Sequence, residues 1–182
     1  GNGEYTLITV ARYSGGDRER VIAARTGHNW LAGFHGNRAN RWHYDGWGTH
    51  GVNDGAYDGG NQQWYIHANQ QNVNGDANNP AGDYYANGVL LANDSRGSGD
   101  GFNNNVPDGL QLGAWNGINN ETSTAEVSEV IMYNRVLSDQ ELYAVETYLA
   151  NKYNIAVNTP VTAPFPRPLG VNSQPVVFDV VN

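Results

Sequence analysis

Two glutamates near residue 130 are the first candidates for chemistry. Glu126 and Glu129 lie in one alternating segment, and a retaining glycosidase needs two carboxyl groups about 5–5.5 Å apart that face one cleft. Side chains along a regular strand alternate between its faces, so residues three apart diverge. The Glu-x-Asp-x-x-Glu run of laminarinase-type enzymes is also absent. The spacing therefore predicts that this pair is not catalytic.

Other catalytic constellations are missing as well. The five histidines show neither His-x-His nor His-Glu-x-x-His spacing, and their scatter predicts surface or half-buried positions; they are residues 28, 35, 43, 50 and 67. No Gly-x-Ser-x-Gly elbow is present. The absence of cysteine excludes thiolate metal sites and a cysteine nucleophile. We therefore predict that the chain is not an enzyme.

Two polar loops offer ligands for calcium, which prefers six to eight oxygen atoms from carboxylates, amides and backbone. Asn53 accompanies the acidic residues of the first loop, and Asn103 and Asn104 accompany those of the second. The predicted metal ligands are Asp54, Asp58, Asp94, Asp100 and Asp108. Asp and Asn also form turns for local reasons, and that alternative stays open. Ca²⁺ is the cofactor that these loops indicate.

The loop after residue 44 also has the side chains of a sugar site. Trp47 and Tyr57 could stack on a pyranose ring, and Asp45, His50 and Asn53 could hydrogen-bond its hydroxyls. These five residues are the predicted ligand-binding set. Trp42 and Tyr44 share one face of the preceding strand, and we interpret them as packing residues.

Short strands must position these loops. Segments rich in β-branched and aromatic residues, separated by turn signals, predict strands over 4–12, 20–26, 30–35, 41–44, 63–68, 110–115 and 125–133. Residues 83–91 predict a hairpin with the type I′ turn Asn87-Gly88, and residues 14–17 predict another turn. Long polar loops cover 46–60, 69–82 and 93–108.

One helix follows the last of these strands. Ser138 and Glu141 form the pattern of a capping box, and Leu137 and Leu142 stand at the hydrophobic-staple positions. Apolar residues recur at helical spacing as far as Lys152. The pattern predicts a helix that starts after Ser138.

Composition limits the partners. Of 182 residues only 15% are charged, while 23 Gly and many Asn and Gln supply polarity, and the net charge is −8. This balance argues against nucleic acid and anionic membranes as partners, and no apolar stretch could span a bilayer. The amide-rich loops favour a location outside the cell, or on the surface of a cell or viral particle.

The segment from Glu126 to Leu142, followed by residues 148–153, resembles the closing signature of laminin-G-like, concanavalin A-like domains. In that family a buried strand ends in a Tyr/Asn-Arg-x-Leu-Ser/Thr step before a short helix. The resemblance implies an all-β fold, a two-sheet antiparallel jelly-roll sandwich with one short C-terminal helix. We assign it to residues 1–157, and an extended Pro-rich arm or linker to residues 158–182.

The arm contains a possible sheet element. Such domains usually begin with a strand of the rough form Pro-Val-x-Phe-Asp-Gly, which is missing before Tyr5, whereas residues 174–179 read Gln-Pro-Val-Val-Phe-Asp. Either the arm completes a sheet in its own molecule or a neighbour, or it is a linker to a further domain.

We therefore predict a non-catalytic carbohydrate-binding or adhesion module whose partner is a glycan or polysaccharide. The alternative is a structural assembly subunit, such as a virion or filament component, that self-associates through residues 158–182.

Overall fold

The computed structural model describes residues 4–25, 29–44, 62–71, 82–94, 107, 109–116 and 120–158. Their elements are β1 (Tyr5–Arg18), β2 (Ile22–Ala24), β3 (Trp30–His35), β4 (Arg38–Tyr44), β5 (Tyr65–Gln71), β6 (Gly82–Ala86), β7 (Val89–Asp94), β8 (Leu110–Leu112), β9 (Ser123–Tyr133) and α1 (Asp139–Tyr153). The predicted strands and the predicted helix are all present, with boundaries that differ by a few residues.

The strands form two antiparallel sheets. One sheet has the order β7-β6-β5-β1-β9, and the other has the order β4-β3-β2-β8. The predicted hairpin is the β6–β7 pair, and its turn residues Asn87 and Gly88 both have positive φ, as a type I′ turn requires. The predicted fold class, an antiparallel β-sandwich with one short helix, is confirmed.

Aromatic side chains fill the space between the sheets. β1 turns alternate residues inward, among them Tyr5, Leu7 and Tyr13, which are almost fully buried. Trp30 and Phe34 of β3 meet them from the facing sheet through edge-to-face ring contacts with Tyr5 and Tyr13. Burial of each such side chain contributes about 1.5–3 kcal/mol, so this layer fixes how the sheets face each other.

The outer face of the five-stranded sheet packs against α1. Ile8 and Val10 of β1 and Ile131 of β9 form one cluster with Leu142 and Leu149 of the helix. Both faces of β1 are therefore buried from Tyr5 to Ala11, and only Thr6 and Thr9 interrupt the apolar residues of this stretch.

The helix starts as predicted. The Ser138 side chain accepts a hydrogen bond from the Glu141 N–H, and the Glu141 carboxylate accepts one from the Ser138 N–H. Leu137 and Leu142, the predicted staple, are both buried in the cluster beneath α1. Asn154 ends the helix in the left-handed conformation, which Asn tolerates better than most residues.

The predicted turn at residues 14–17 is wrong. Strand β1 continues through these residues to Arg18, with an irregularity in its pairing to β9 between Tyr13 and Arg18. A Cβ added to Gly15 would clash with Cγ2 of Thr124. Gly15 is therefore explained by the close approach of two strands and not by a chain reversal.

Within the described residues, no helix is long and apolar enough to cross a membrane. The predicted arm over 158–182 lies outside the described residues except for its first residue. The Asn158 N–H donates to the Asn87 carbonyl over 2.9 Å, so Asn158 lies beside the β6–β7 turn.

Candidate functional site

The predicted ligand and metal residues lie almost entirely outside the described part of the chain. This holds for the whole ligand set, Trp47, Tyr57, His50, Asn53 and Asp45, and for Asp54, Asp58, Asp100 and Asp108. Asp94 ends β7, but its side chain is not described. These assignments remain predictions. Among the described residues, no group of three or more His, Asp or Glu side chains could hold a metal ion.

The structure does describe the strand ends to which the two predicted loops are joined. Tyr44 at the end of β4 pairs with Trp30, and the Trp30 ring lies 6.5 Å from the ring of Tyr5. Tyr5 in turn pairs with Gln71 at the end of β5. The segment that follows Tyr44 therefore starts at the end of the sandwich where β1 begins and β5 ends.

The second loop is joined at the same end. Gly82 at the start of β6 pairs with both Gln71 and Asp94, which places the end of β7 there. The Arg25 N–H donates to the Gly109 carbonyl over 2.9 Å, and the neighbouring Ala24 pairs with Leu110. Both predicted loops thus start at one end of the sandwich, which we call the loop end. The first loop returns to the sheet at Tyr65, and the pairing of Tyr65 with Ala11 places that return at the opposite end.

Trp42 packs beneath the loop end. Its side chain is 1% exposed, its ring stacks on Tyr84 with centroids 5.9 Å apart, and its edge lies against Gly82. The interpretation of Trp42 as a packing residue is confirmed, while the side chain of Tyr44 lies outside the described residues.

The prediction that Glu126 and Glu129 point to opposite faces is wrong. Glu129 pairs with Val10 and Glu126 pairs with Arg12, and these partners are two residues apart on β1. Ser128 is the extra residue of a β-bulge on β9, and one extra residue reverses the alternation of side chains. Both carboxylates therefore lie on the outer face of the sheet.

Each of these carboxylates nevertheless has a cationic partner. Glu126 accepts from Arg12 Nη2 over 2.8 Å, and the Arg12 guanidinium lies over the Trp64 ring. Glu129 is 3% exposed and accepts from Lys152 Nζ over 2.9 Å and from the Tyr153 hydroxyl over 2.8 Å. These contacts attach β9 to β1 and to α1, which is a structural use of both groups.

The described histidines occupy three different environments. His35 lies 3.4 Å from a Glu19 oxygen and 3.6 Å from a Glu121 oxygen, and His43 Nδ1 lies 2.6 Å from the Asn29 carbonyl. Both are half-buried, as predicted. His67 is 1% exposed in the core, so the prediction of surface or half-buried histidines is wrong for it, and burial lowers its pKa to about 3.

A cavity that the sequence analysis missed lies between α1 and the β6–β7 hairpin. It has a volume of about 280 Å³, and we call it the helix–hairpin groove. Its lining comes from Tyr85, Gly88 and Leu90 of the hairpin and from Asp139, Leu142, Tyr143 and Glu146 of α1.

Glu146 is the unusual residue of this groove. It is 4% exposed, and burial raises its pKa to about 7, an effect opposed by a hydrogen bond from the Gly88 backbone. A carboxyl group with a strongly shifted pKa in a cleft marks a candidate functional position. The sequence does contain a signal, because Glu146 falls between Leu142 and Leu149 on the apolar face of α1.

Comparison with known proteins identifies no relative by sequence and a distant match by structure. No protein-family model matches the chain, and no curated protein matches it. A solved structure of Trypanosoma rangeli sialidase in complex with sialic acid matches with a TM-score of 0.47 and 16% identity. The match covers 86% of this chain and 24% of the sialidase chain, so this chain spans about a quarter of that protein's length.

This match corrects one prediction. We predicted that the chain is not an enzyme, whereas the matched protein is a sialidase, an enzyme, and the prediction is therefore withdrawn. No family model assigns the chain to the laminin-G-like domains, so that resemblance stays a prediction.

Proposed function

We propose that this chain is a carbohydrate-binding domain whose ligand site lies at the loop end of the sandwich. The observation that supports the proposal most is that β4 and β7 both end there. Tyr44 and Asp94 are linked through the paired residues Trp30, Gln71 and Gly82 and the Tyr5–Trp30 ring contact. Two segments that are distant in sequence therefore start from the same end of the sandwich.

The covalent chain limits how far the candidate residues can be from these points. Consecutive Cα atoms are about 3.8 Å apart, so the Cα of Asp45 is within one such step of Tyr44, and that of Trp47 is within about 11 Å of it. Asp108 is likewise bonded to Gly109. These residues supply an indole ring for stacking on a pyranose face and carboxylates for its hydroxyls.

Calcium is part of the proposal. The carboxylates of both segments are hard oxygen ligands, and an ion between the segments would hold them in one arrangement. Asp54 and Asp58 would contribute from the first segment, and Asp94, Asp100 and Asp108 would contribute from the second. Such an ion would order the loops in advance of sugar binding, which lowers the entropic cost of binding.

We also propose a relationship to the laminin-G-like, concanavalin A-like domains and a location outside the cell or on a particle surface. The step from β9 into α1 supports the relationship. Arg135 follows the end of β9 and makes a two-pronged hydrogen bond to Glu141, with both distances 2.8 Å. Glu141 also closes the Ser138 capping box, so the residues of the resemblance form one connected unit.

A glycan array tests the function, run once with Ca²⁺ and once with EDTA. We expect binding of at least one glycan class in Ca²⁺, a loss of at least about tenfold in Trp47→Ala because one stacked ring contributes that much affinity, and a weaker signal in EDTA. The matched control is Tyr148→Ala, which removes an aromatic side chain that is 53% exposed on α1. Absence of binding under both conditions would contradict the function, and full binding by Trp47→Ala would contradict the site.

A further inference from the structure

The helix–hairpin groove is acidic. Two carboxyl groups, Asp139 and Glu146, line it, and none of the described residues that line it is basic. The pKa of the Tyr85 hydroxyl is raised, first by burial and then by the negative charges of Asp83, Asp139 and Glu146. The groove therefore has a negative potential, which repels anions and attracts cations.

One carboxylate oxygen in this groove has no hydrogen-bond partner among the residues that the structure describes. The Gly88 backbone donates a hydrogen bond to the Glu146 side chain, but within the described residues Glu146 Oε1 has no hydrogen-bond partner. Glu146 is 4% exposed, and an unsatisfied buried carboxylate oxygen is costly. The adjoining cavity is the space from which a donor could reach Oε1.

The remaining walls are aromatic and aliphatic. Tyr85 and Leu90 are directly paired across β6 and β7 and so share the face that meets α1. Leu142 and Tyr143 complete the opposite wall, and Leu90 remains 48% exposed at the surface. Such walls suit an apolar body, and a tyrosine face also attracts a cation.

The hairpin is held firmly enough for such a site. Asn87 exchanges backbone and side-chain hydrogen bonds with Ile66 of β5, with distances of 2.8 and 2.9 Å. A Cβ on Gly88 would lie 2.9 Å from the Asn158 carbonyl oxygen, and Gly88 has φ +78°. Only glycine therefore fits comfortably where the backbone meets the Glu146 carboxyl group.

We propose that the helix–hairpin groove binds a small organic ammonium ion. Its ammonium group donates to Oε1 of Glu146, and its apolar body lies between Tyr85, Leu90 and Tyr143. A charge-assisted hydrogen bond to a buried carboxylate is strong, and it would satisfy the oxygen for which the described residues provide no donor. This site is separate from the loop end, since no predicted glycan or calcium ligand belongs to it.

Benzylammonium is the probe, because it combines an ammonium group with one ring. We would titrate it into the full chain at pH 8 and follow the backbone amide of Gly88 by NMR, since that amide is bonded to Glu146. Benzyl alcohol is the neutral control of the same shape. We expect benzyl alcohol to bind at least about tenfold more weakly, because it lacks the charge.

Affinity should also depend on pH. Glu146 has a pKa of about 7, and the titratable groups that line the cavity with it are Tyr85 from β6 and Asp139 and Tyr143 from α1. Benzylammonium stays protonated at pH 5.5, so its binding there must first remove the proton from Glu146. We expect binding about 30-fold weaker at pH 5.5 than at pH 8.

Two variants complete the test. Glu146→Gln keeps the acceptor for Gly88 but removes the charge, and it should weaken binding at least about tenfold and abolish the pH dependence. Glu126→Gln removes a carboxylate outside the groove and should bind like the unaltered chain. Equal binding of benzyl alcohol, wild-type affinity in Glu146→Gln, or no shift of the Gly88 amide would each overturn the proposal. A failed glycan array would not affect it.

Discussion

The α-carbon of Gly33 lies against the imidazole ring of His67 in the centre of the sandwich. A Cβ built on Gly33 would stand 2.9 Å from His67 Nδ1 and 3.3 Å from its Cε1, and Gly33 has φ +108°. The imidazole ring has little room to move away from an added Cβ. It is stacked between Tyr65 and Tyr84, and its Nε2 donates to Asn40 Oδ1 over 3.0 Å. The contact between Gly33 and His67 therefore sets the distance between the two sheets at this point.

Gly33→Ala should destabilise the domain by about 3 kcal/mol, because it adds both a clash in the core and an unfavourable φ. Gly36→Ala is the matched control. Gly36 also has positive φ, at +61°, but an added Cβ would meet nothing within 4 Å, so only the backbone cost of about 1 kcal/mol applies. Urea denaturation measures both values, and equal losses would show that the contact with His67 is unimportant.

His67 should make the domain sensitive to acid. Burial lowers its pKa to about 3, whereas an unfolded chain has a histidine pKa near 6.5. Well above pH 6.5 the ring is neutral in both states and does not make the free energy of unfolding depend on pH. Between pH 6.5 and about 3, His67 is protonated in the unfolded chain but neutral in the folded chain. The free energy of unfolding therefore decreases as the pH falls.

The measurement compares the unaltered chain with His67→Phe at pH 6.5 and pH 5. The contribution of His67 over that interval is about 2 kcal/mol, and it should be absent in the variant. His67→Phe also loses the Asn40 hydrogen bond, which lowers stability equally at both pH values. Identical pH dependence in the two proteins would contradict the assignment of acid sensitivity to His67.

The strands and the helix could be predicted because their signals are local. The β6–β7 turn rests on Asn87-Gly88, and the start of α1 rests on Ser138 and Glu141, residues that are close in sequence. The orientation of Glu126 could not be predicted in this way. It depends on the bulge at Ser128, which arises from how β9 pairs with β1, and alternation along one strand does not reveal it.

The position of His67 and the helix–hairpin groove were missed for a similar reason. His67 is buried by rings from Phe34 of β3 and Tyr84 of β6, which come together only in the folded chain. The groove likewise joins Leu90 of the hairpin to Glu146 of the helix. The prediction for loop residues such as Trp47 rests on side-chain type alone, and the structure shows that the segment containing Trp47 begins at the loop end.

The capping box should contribute measurably to stability. Ser138→Ala removes the acceptor for the Glu141 N–H and should lower the free energy of unfolding by about 1 kcal/mol. Ser138→Asp keeps a side-chain oxygen at the same position and should retain most of that stability.

The Arg135–Glu141 pair is nearly half exposed on both sides, so Arg135→Gln should lower the free energy of unfolding by at most about 1 kcal/mol. A larger loss in Arg135→Gln than in Ser138→Ala, measured by urea denaturation, would reverse this ranking.

Glu146 should change the free energy of unfolding with pH in the opposite direction to His67. Burial raises its pKa to about 7, compared with about 4.3 in an unfolded chain. Its contribution to the free energy of unfolding is fully present below the unfolded pKa of about 4.3. This contribution is lost as the pH rises through about 7, because the folded state must then ionise a buried group. The total loss is about 4 kcal/mol. Between pH 4.5 and 6.5 the two residues therefore act in opposite directions and largely cancel.

Single variants should separate these two titrations. Glu146→Gln should be more stable than the unaltered chain by about 4 kcal/mol at pH 8, and this advantage should vanish near pH 4. The stability of the variant should decrease steadily below pH 6.5, because the titration of His67 is then unopposed. His67→Phe should instead gain stability as pH falls from 7 to 4.5. Asp17→Asn, which removes an exposed carboxylate, controls for the change in net charge. If Glu146→Gln and Asp17→Asn show the same pH profile by urea denaturation, Glu146 does not titrate as a buried group.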